Sequence, residues 1–332
     1  MKLKVLLQVL ACITLFGGVV NAEVTADMAA SSDDMKKTKG ADGWTKSLKF
    51  SGNGNLAIHK SHLSEVNGEN YSWGGKLDGT LTWRQGSREW RNSLLIDQST
   101  SKLASSEHYI KGSDVFKIQS FYLWGLPNMP KFGPYAKASY DTSIFRNHSY
   151  FNGPINFVDS DGTVRTGESD FRLSDGLGDN PQTLKASIGV FYKAIKKDNM
   201  DLVLSAGLGG LRTWANGKTA TKINDTNYVL TDLEHFTDYG LVLGLDFKGK
   251  FDDRTGYQVG FESLTPFDKG DDRFDDEDLI TLTNYEGFAK IDSKLYEWLS
   301  LGYEFRVKMQ PKLQGKEQTS NIFGLSLTYI LL

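Results

Sequence analysis

The chain has 332 residues, with 38 Lys and Arg against 41 Asp and Glu, a formal net charge of −3 and a single cysteine. That balance offers nothing to a nucleic-acid backbone, and one cysteine cannot build a disulfide scaffold. Thirty-four glycines against seven prolines, with 12% aromatic residues, suit many strands joined by tight turns.

Residues 1–22 read as a secretory signal: Lys2 and Lys4 form the basic end, Val5 to Val20 the apolar stretch, and Val20-Asn21-Ala22 a small-residue cleavage site. Val9-Leu10-Ala11-Cys12 has the order of a lipobox, but cleavage there would strand an apolar run behind it, so Cys12 is expected to leave with the signal. The two lysines leave too, which moves the net charge from −3 to −5. Residues 23–43 are small, polar and charged, and are expected to form a disordered periplasmic leader. No later stretch approaches the roughly 18 apolar residues of a membrane helix. Residues 44–332 therefore read as one all-β domain, either soluble or a membrane barrel.

The segment from Tyr71 to Gln98 separates these two. Trp73, Gly75, Leu77, Gly79, Leu81 and Trp83 alternate with Gly74, Lys76, Asp78, Thr80, Thr82 and Arg84. After Gln85-Gly86-Ser87 the pattern resumes as Trp90, Asn92, Leu94 and Ile96 against Arg91, Ser93 and Asp97. Strict alternation marks a strand with one apolar and one polar face. The tryptophans sit at strand ends on the apolar face, whereas charges crowd the other face, which is the layout of a barrel with lipid outside and a polar lumen.

Earlier in the chain, Leu48, Phe50, Leu56 and Ile58 form a first row, with a bend or bulge expected at Gly52 and Gly54. Later rows begin at Phe116, Ala136, Leu184, Leu202, Tyr239, Tyr257, Leu299 and Phe323, with a weaker strand near 279–291. The total is about twelve strands, an even number, as single-chain bacterial barrels have. Connections alternate in length. Short turns are expected near 85–88, 125–134, 195–200, 248–255 and 292–297; longer outer loops near 60–70, 99–113, 145–182, 212–236, 266–278 and 309–320. A soluble sandwich has no reason for such parity, so the reading is a single antiparallel transmembrane β-barrel with short periplasmic turns. The last strand is the usual terminal one, although the chain ends on Leu332 rather than an aromatic.

The loops carry weak motifs. Asp159-Ser160-Asp161-Gly162 is a fragment of calcium-loop spacing without the distal acids, and reads as a solvated turn. The acids at 268, 271, 272 and 275–278 read as a solvated loop, with binding of divalent cations, or bridging of lipopolysaccharide through them, as the alternative. His148-Ser149 lies in a segment read as loop, and adjacent residues point to opposite faces of a strand, so the pair lacks the spacing a lipid hydrolase needs. His59 and His62 have no third ligand beside them, and no metal or cofactor is expected.

The remaining chemistry is the inward face: Lys76, Arg84, Arg91, Lys117, Lys137, Lys185, Lys193, Lys290 and Arg306 with Asp78, Glu89, Asp97, Asp141, Glu262, Glu286 and Glu304. Nearly balanced signs fit either a narrow polar pore of mixed selectivity or a lumen closed by ion pairs across it. Both remain open on sequence.

Three segments resemble the domain of unknown function 3078 family of bacterial outer-membrane β-barrel proteins: Thr82-Trp83-Arg84-Gln85-Gly86-Ser87-Arg88-Glu89-Trp90-Arg91-Asn92-Ser93-Leu94, Lys111-Gly112-Ser113-Asp114-Val115-Phe116-Lys117-Ile118, and Pro311 to Glu317 leading into Gly324-Leu325-Ser326-Leu327-Thr328-Tyr329. The resemblance implies an outer-membrane barrel and supplies no functional residues. The expected function is a non-enzymatic barrel, either a passive channel for small polar solutes or a closed-lumen structural, envelope-assembly or surface-interaction barrel acting through its outer loops. Its expected partners are outer-membrane lipid and the barrel-assembly machinery.

Overall fold

A computed structural model describes residues 42–59, 68–102, 109–159, 162–197, 199–223, 227–270, 274–296 and 298–330. The signal, residues 23–41 of the expected leader, His62 and the middles of the loops near 60–70 and 99–113 lie outside them, and Gly43, expected to end the leader, opens β1 instead. Sixteen strands are present: β1 (Gly43–His59), β2 (Gly68–Gln85), β3 (Arg88–Lys102), β4 (Tyr109–Trp124), β5 (Phe132–Thr142), β6 (Asn147–Val158), β7 (Val164–Ser174), β8 (Gln182–Lys197), β9 (Met200–Trp214), β10 (Lys218–Lys222), β11 (Asn227–Asp232), β12 (Phe236–Lys250), β13 (Thr255–Pro266), β14 (Asn284–Tyr296), β15 (Leu299–Gln310) and β16 (Gln314–Ile330). Twelve of them close an antiparallel barrel in the order β1-β16-β15-β14-β13-β12-β9-β8-β5-β4-β3-β2.

Alternation decides what each wall residue faces. Ile118, Leu184, Ile188, Val190, Leu208, Leu241, Leu243, Leu325 and Leu327 stand exposed on the outside, whereas Lys117, Gln119, Thr183, Gln258, Glu286 and Arg306 are buried inside. A soluble protein does not leave apolar rows of this extent in water. Aromatics mark the end with the short turns. Trp44 packs against Trp83 and Trp90 at 6.5 and 5.9 Å between ring centroids, Arg88 lies over Trp124, and Tyr296 stacks on Trp298. The β2–β3 turn is tight because Gly86 takes a φ of +56°, a conformation that costs glycine little. Its N–H donates to Asp42 Oδ1 at 2.8 Å.

The structure corrects several expectations. Loops 145–182 and 212–236 are not irregular: they supply a second, four-stranded sheet in the order β10-β11-β6-β7, with β11 and β6 parallel. Its core is Ile155, Phe157 and Leu230, flanked by Leu173, Ala220 and Tyr228. The alternation in these short strands is interrupted by glycine, proline and register shifts, so the period is hard to see. His148-Ser149, read as loop, lies in β6. The expected loop 309–320 is a tight connection between Gln310 and Gln314, because β15 and β16 continue as a polar hairpin. Pairing of β3 with β4 likewise runs to Lys102 and Tyr109, inside the expected loop 99–113. The weak strand near 279–291 begins instead at Asn284.

Asp114 on β4 anchors the segment that leads from the barrel to the second sheet. Its carboxylate, fully buried, accepts from the backbone N–H groups of Ile144 and Phe145 at 2.9 and 2.8 Å, from Gln98 at 2.6 Å and from Lys111 at 3.1 Å. Asn180, also buried, donates to the carbonyls of Ser143 and Phe145. Buried backbone groups at the root of a loop need such partners, and here charge strengthens them.

Candidate functional site

The inward face is the candidate site, and the barrel order gives its ion pairs meaning. β4 and β14 are six strands apart in either direction, diametrically opposite, yet Lys117 Nζ lies 3.2 Å from Glu286 Oε1. β5 and β15 are also opposite, and Lys308 Nζ lies 3.5 Å from Asp141 Oδ2. Lys185 reaches the other Glu286 oxygen at 2.7 Å, and Lys137 reaches Glu262 at 2.5 Å, each spanning four strands. Charged side chains from opposite walls are therefore in contact across the lumen.

A second cluster lies near the short turns. Glu89 accepts from Arg84 at 2.7 Å, Arg91 at 2.9 Å and Lys193 at 2.9 Å, and Arg91 also lies 3.8 Å from Asp201 on β9. At the same end Phe121, Leu123, Tyr135, Phe191 and Val203 point inward and form a buried apolar floor. Between the clusters, Glu304 binds Arg306 at 2.5 Å and Lys76 at 3.9 Å. Lys290 binds Asp292 on its own strand at 2.7 Å. Asp97 stands opposite Lys76 in the β2–β3 ladder, and Asp78 opposite Leu95. Phe288, also inward, lies over Gly260, where any side chain would collide with its ring. Towards the loop end Asp238 accepts from Asn284 at 2.8 Å and pairs with Lys312. A small cavity of about 20 Å³, on the scale of a water molecule, remains beside the Glu286 pairs, lined by Lys137, Lys185, Glu262, Lys308 and Gln310 among others.

Every residue singled out on sequence thus falls on the inward face, and the fold pairs residues that are more than 100 positions apart in the chain. Sequence reasoning missed Asp201, Asp238, Lys308 and Lys312. Lys308 was legible, since it follows Glu304 and Arg306 at the same period; Lys312 was not, because it fell in an expected loop. The apolar floor was missed because Phe121, Leu123 and Phe191 break the polar phase.

Outside the barrel, Asp159 ties the hairpin of β6 and β7 to β10. It accepts from Arg165 at 2.7 Å and from Lys218 at 2.8 Å, while the turn beyond it closes with Gly162 at a φ of +83°. The Lys218 hydrogen bond, opposed by burial and reinforced by Arg165, holds the Asp159 carboxyl below its usual range. A carboxyl depressed by folding stabilises the sheet above its unfolded pKa of about 3.9, and that contribution is lost as pH falls through the lower folded value. Amide protection of residues 155–165 and 218–232, corrected for intrinsic exchange, is therefore expected to hold from pH 7 to about 4 and fall below that. Asp159→Asn should remove the fall. An equal fall in that variant would assign it to another group.

Among the described residues no three metal-ligating side chains converge. No family model and no curated protein matches the chain. Solved structures with a similar overall shape include the translocator domain of the autotransporter NalP from Neisseria meningitidis (13% identity, 91% of this chain and 92% of that one, TM-score 0.36). They also include an outer membrane channel from Pseudomonas putida F1 (10%, 93% and 99%, 0.39) and the Pseudomonas putida toluene transporter TodX (11%, 95% and 95%, 0.36). The barrel assignment itself stands on the strand ladder and the two faces described above.

Proposed function

We propose that this chain is a non-enzymatic outer-membrane barrel with a sealed lumen, whose working surface is the four-stranded sheet at its loop end. The observation that carries the reading is the contact of Lys117 with Glu286 between opposite walls. A polar solute moving along the axis would have to separate this pair and the Glu89 cluster, leaving buried charges without partners. The apolar outer rows and the tryptophans at the turn end support a lipid surround. Apart from β5, with 11 residues, the barrel strands exceed the roughly 9–11 that a tilted strand needs to span a bilayer, so their ends project beyond it. Kinship with the domain of unknown function 3078 family, export by the signal and insertion by the barrel-assembly machinery belong to the same proposal.

Planar-bilayer conductance of the refolded chain tests it, with heat-modifiable gel migration as the folding control. A folded, heat-modifiable and electrically silent protein is expected. Reproducible conductance steps would overturn the seal and favour a passive channel for small polar solutes. Absence of heat-modifiable migration would remove the membrane barrel itself.

A further inference from the structure

Two neighbouring side chains on the inward face hold buried polar atoms that the rest of the protein does not satisfy. Asn284 opens β14 and Gln310 ends β15. Tyr285 stands opposite Met309 in the ladder between these strands, so the next step of the register sets Asn284 beside Gln310. Both are buried, at 4% and 3% exposed. Asn284 commits its amide nitrogen to Asp238 at 2.8 Å, while its Oδ1 accepts no hydrogen bond from the protein. Gln310 Nε2 donates none to it. A buried acceptor and a buried donor left in this way each lose their hydration with nothing in return.

Both residues line the cavity beside the Glu286 pairs. We infer that this cavity is a binding site for a single long-lived water molecule, held between Asn284 Oδ1 and Gln310 Nε2. Water both donates and accepts, so one molecule meets the acceptor on β14 and the donor on β15. The cavity, about 20 Å³, exceeds the roughly 10–15 Å³ that a water requires and has no room for a larger solute. Buried water commonly makes about three hydrogen bonds, and Lys137, Glu262 and Lys308 on the same lining can supply the remainder. A bare ion fits poorly. Lys137 is paired with Glu262, Lys185 with Glu286 and Lys308 with Asp141, so an added charge would stand uncompensated away from solvent. The water carries the Asp238–Asn284 hydrogen bond onward to β15. The inference rests on this local packing and not on a seal along the whole lumen, so a conducting barrel with a slow water at Gln310 would leave it standing.

Nuclear magnetic resonance of the refolded full chain, isotope-labelled at glutamine, tests it through the side-chain amide protons of Gln310. The pair of signals lost in Gln310→Met identifies them, with Gln310→Glu as the second variant should the first fail to show heat-modifiable migration. Dipolar cross-relaxation between these protons and water is expected, with the sign of a water bound far longer than molecules of the bulk solvent. The denaturant midpoint of Gln310→Met is expected to fall below that of the wild type, because the water loses a partner that methionine cannot replace. Three results would overturn the inference. Absence of cross-relaxation to water would mean that the two side chains are dry or bond one another directly. Cross-relaxation with the sign of freely exchanging solvent would mean that bulk water reaches Gln310, an open lumen that bilayer conductance reports separately. A midpoint at or above the wild type would mean that the Gln310 amide lies in dry space, where its removal costs nothing.

Discussion

Replacing Glu89 with glutamine is expected to destabilise the barrel by about 3–5 kcal/mol, the cost of removing one partner from a buried charge cluster. Glu89 is 4% exposed and its carboxylate takes hydrogen bonds from Arg84, Arg91 and Lys193. Glutamine keeps the volume and one acceptor oxygen but removes the negative charge, so three cations would converge with nothing between them. Arg91 has a second carboxylate, Asp201, at 3.8 Å, too far to replace Glu89. The measurement is the denaturant midpoint of the heat-modifiable species. Adding Lys193→Met should restore part of the loss, because it removes one of the cations and methionine packs against Phe191, over which the Lys193 ammonium now lies. Additive losses in the double variant would show that Glu89 and Lys193 are not coupled.

The second large effect is expected at Glu286, where stability and permeability should change together. Glu286 holds Lys117 from the opposite wall and Lys185 from four strands away. Glu286→Gln is expected to cost a similar few kcal/mol, since Lys117 is 2% exposed and loses its carboxylate. Two ammonium groups without that anchor repel one another and admit water beside the existing cavity, so ion conductance should appear in a barrel that is silent as the wild type. Lys117→Met tests the same contact from the other side, but exchanges a charge for an apolar chain that still fills space, and should leave the barrel more stable than Glu286→Gln. A Glu286→Gln protein that folds with an unchanged midpoint and stays silent would show that this pair neither seals nor stabilises the lumen.

These two carboxylates also show why ion pairs matter here for geometry rather than as a reservoir of stability. A buried pair gains in attraction about what it loses in desolvation, so its presence adds little. What it does is hold opposite walls of a twelve-stranded barrel together, and penalise strongly any change that leaves one charge alone.

The period-two rows of this chain determined the barrel wall. Tyr239, Leu241, Leu243 and Leu245 can be assigned to the outside, and Lys117, Glu286 and Arg306 to the inside, because side chains on a strand alternate whatever the strand's neighbours are. The alternation of connection lengths holds only in part: the β15–β16 connection, expected to be long, is a tight one between Gln310 and Gln314, shorter than the turn-end connection from Trp124 to Phe132. Tertiary structure alone decided which inward charges meet. Lys117 and Glu286 are 169 positions apart, and nothing local to either records that β4 and β14 lie opposite one another. It also decided that loops 145–182 and 212–236 join into one sheet, because the parallel pairing of β11 with β6 is a contact between segments neither of which shows a long clean period. It decided too that Gly52 and Gly54 carry no bulge, contrary to the expectation from sequence: β1 pairs with β2 from Gly43 to His59 without a register shift, because the neighbouring strand holds the glycines in the ladder.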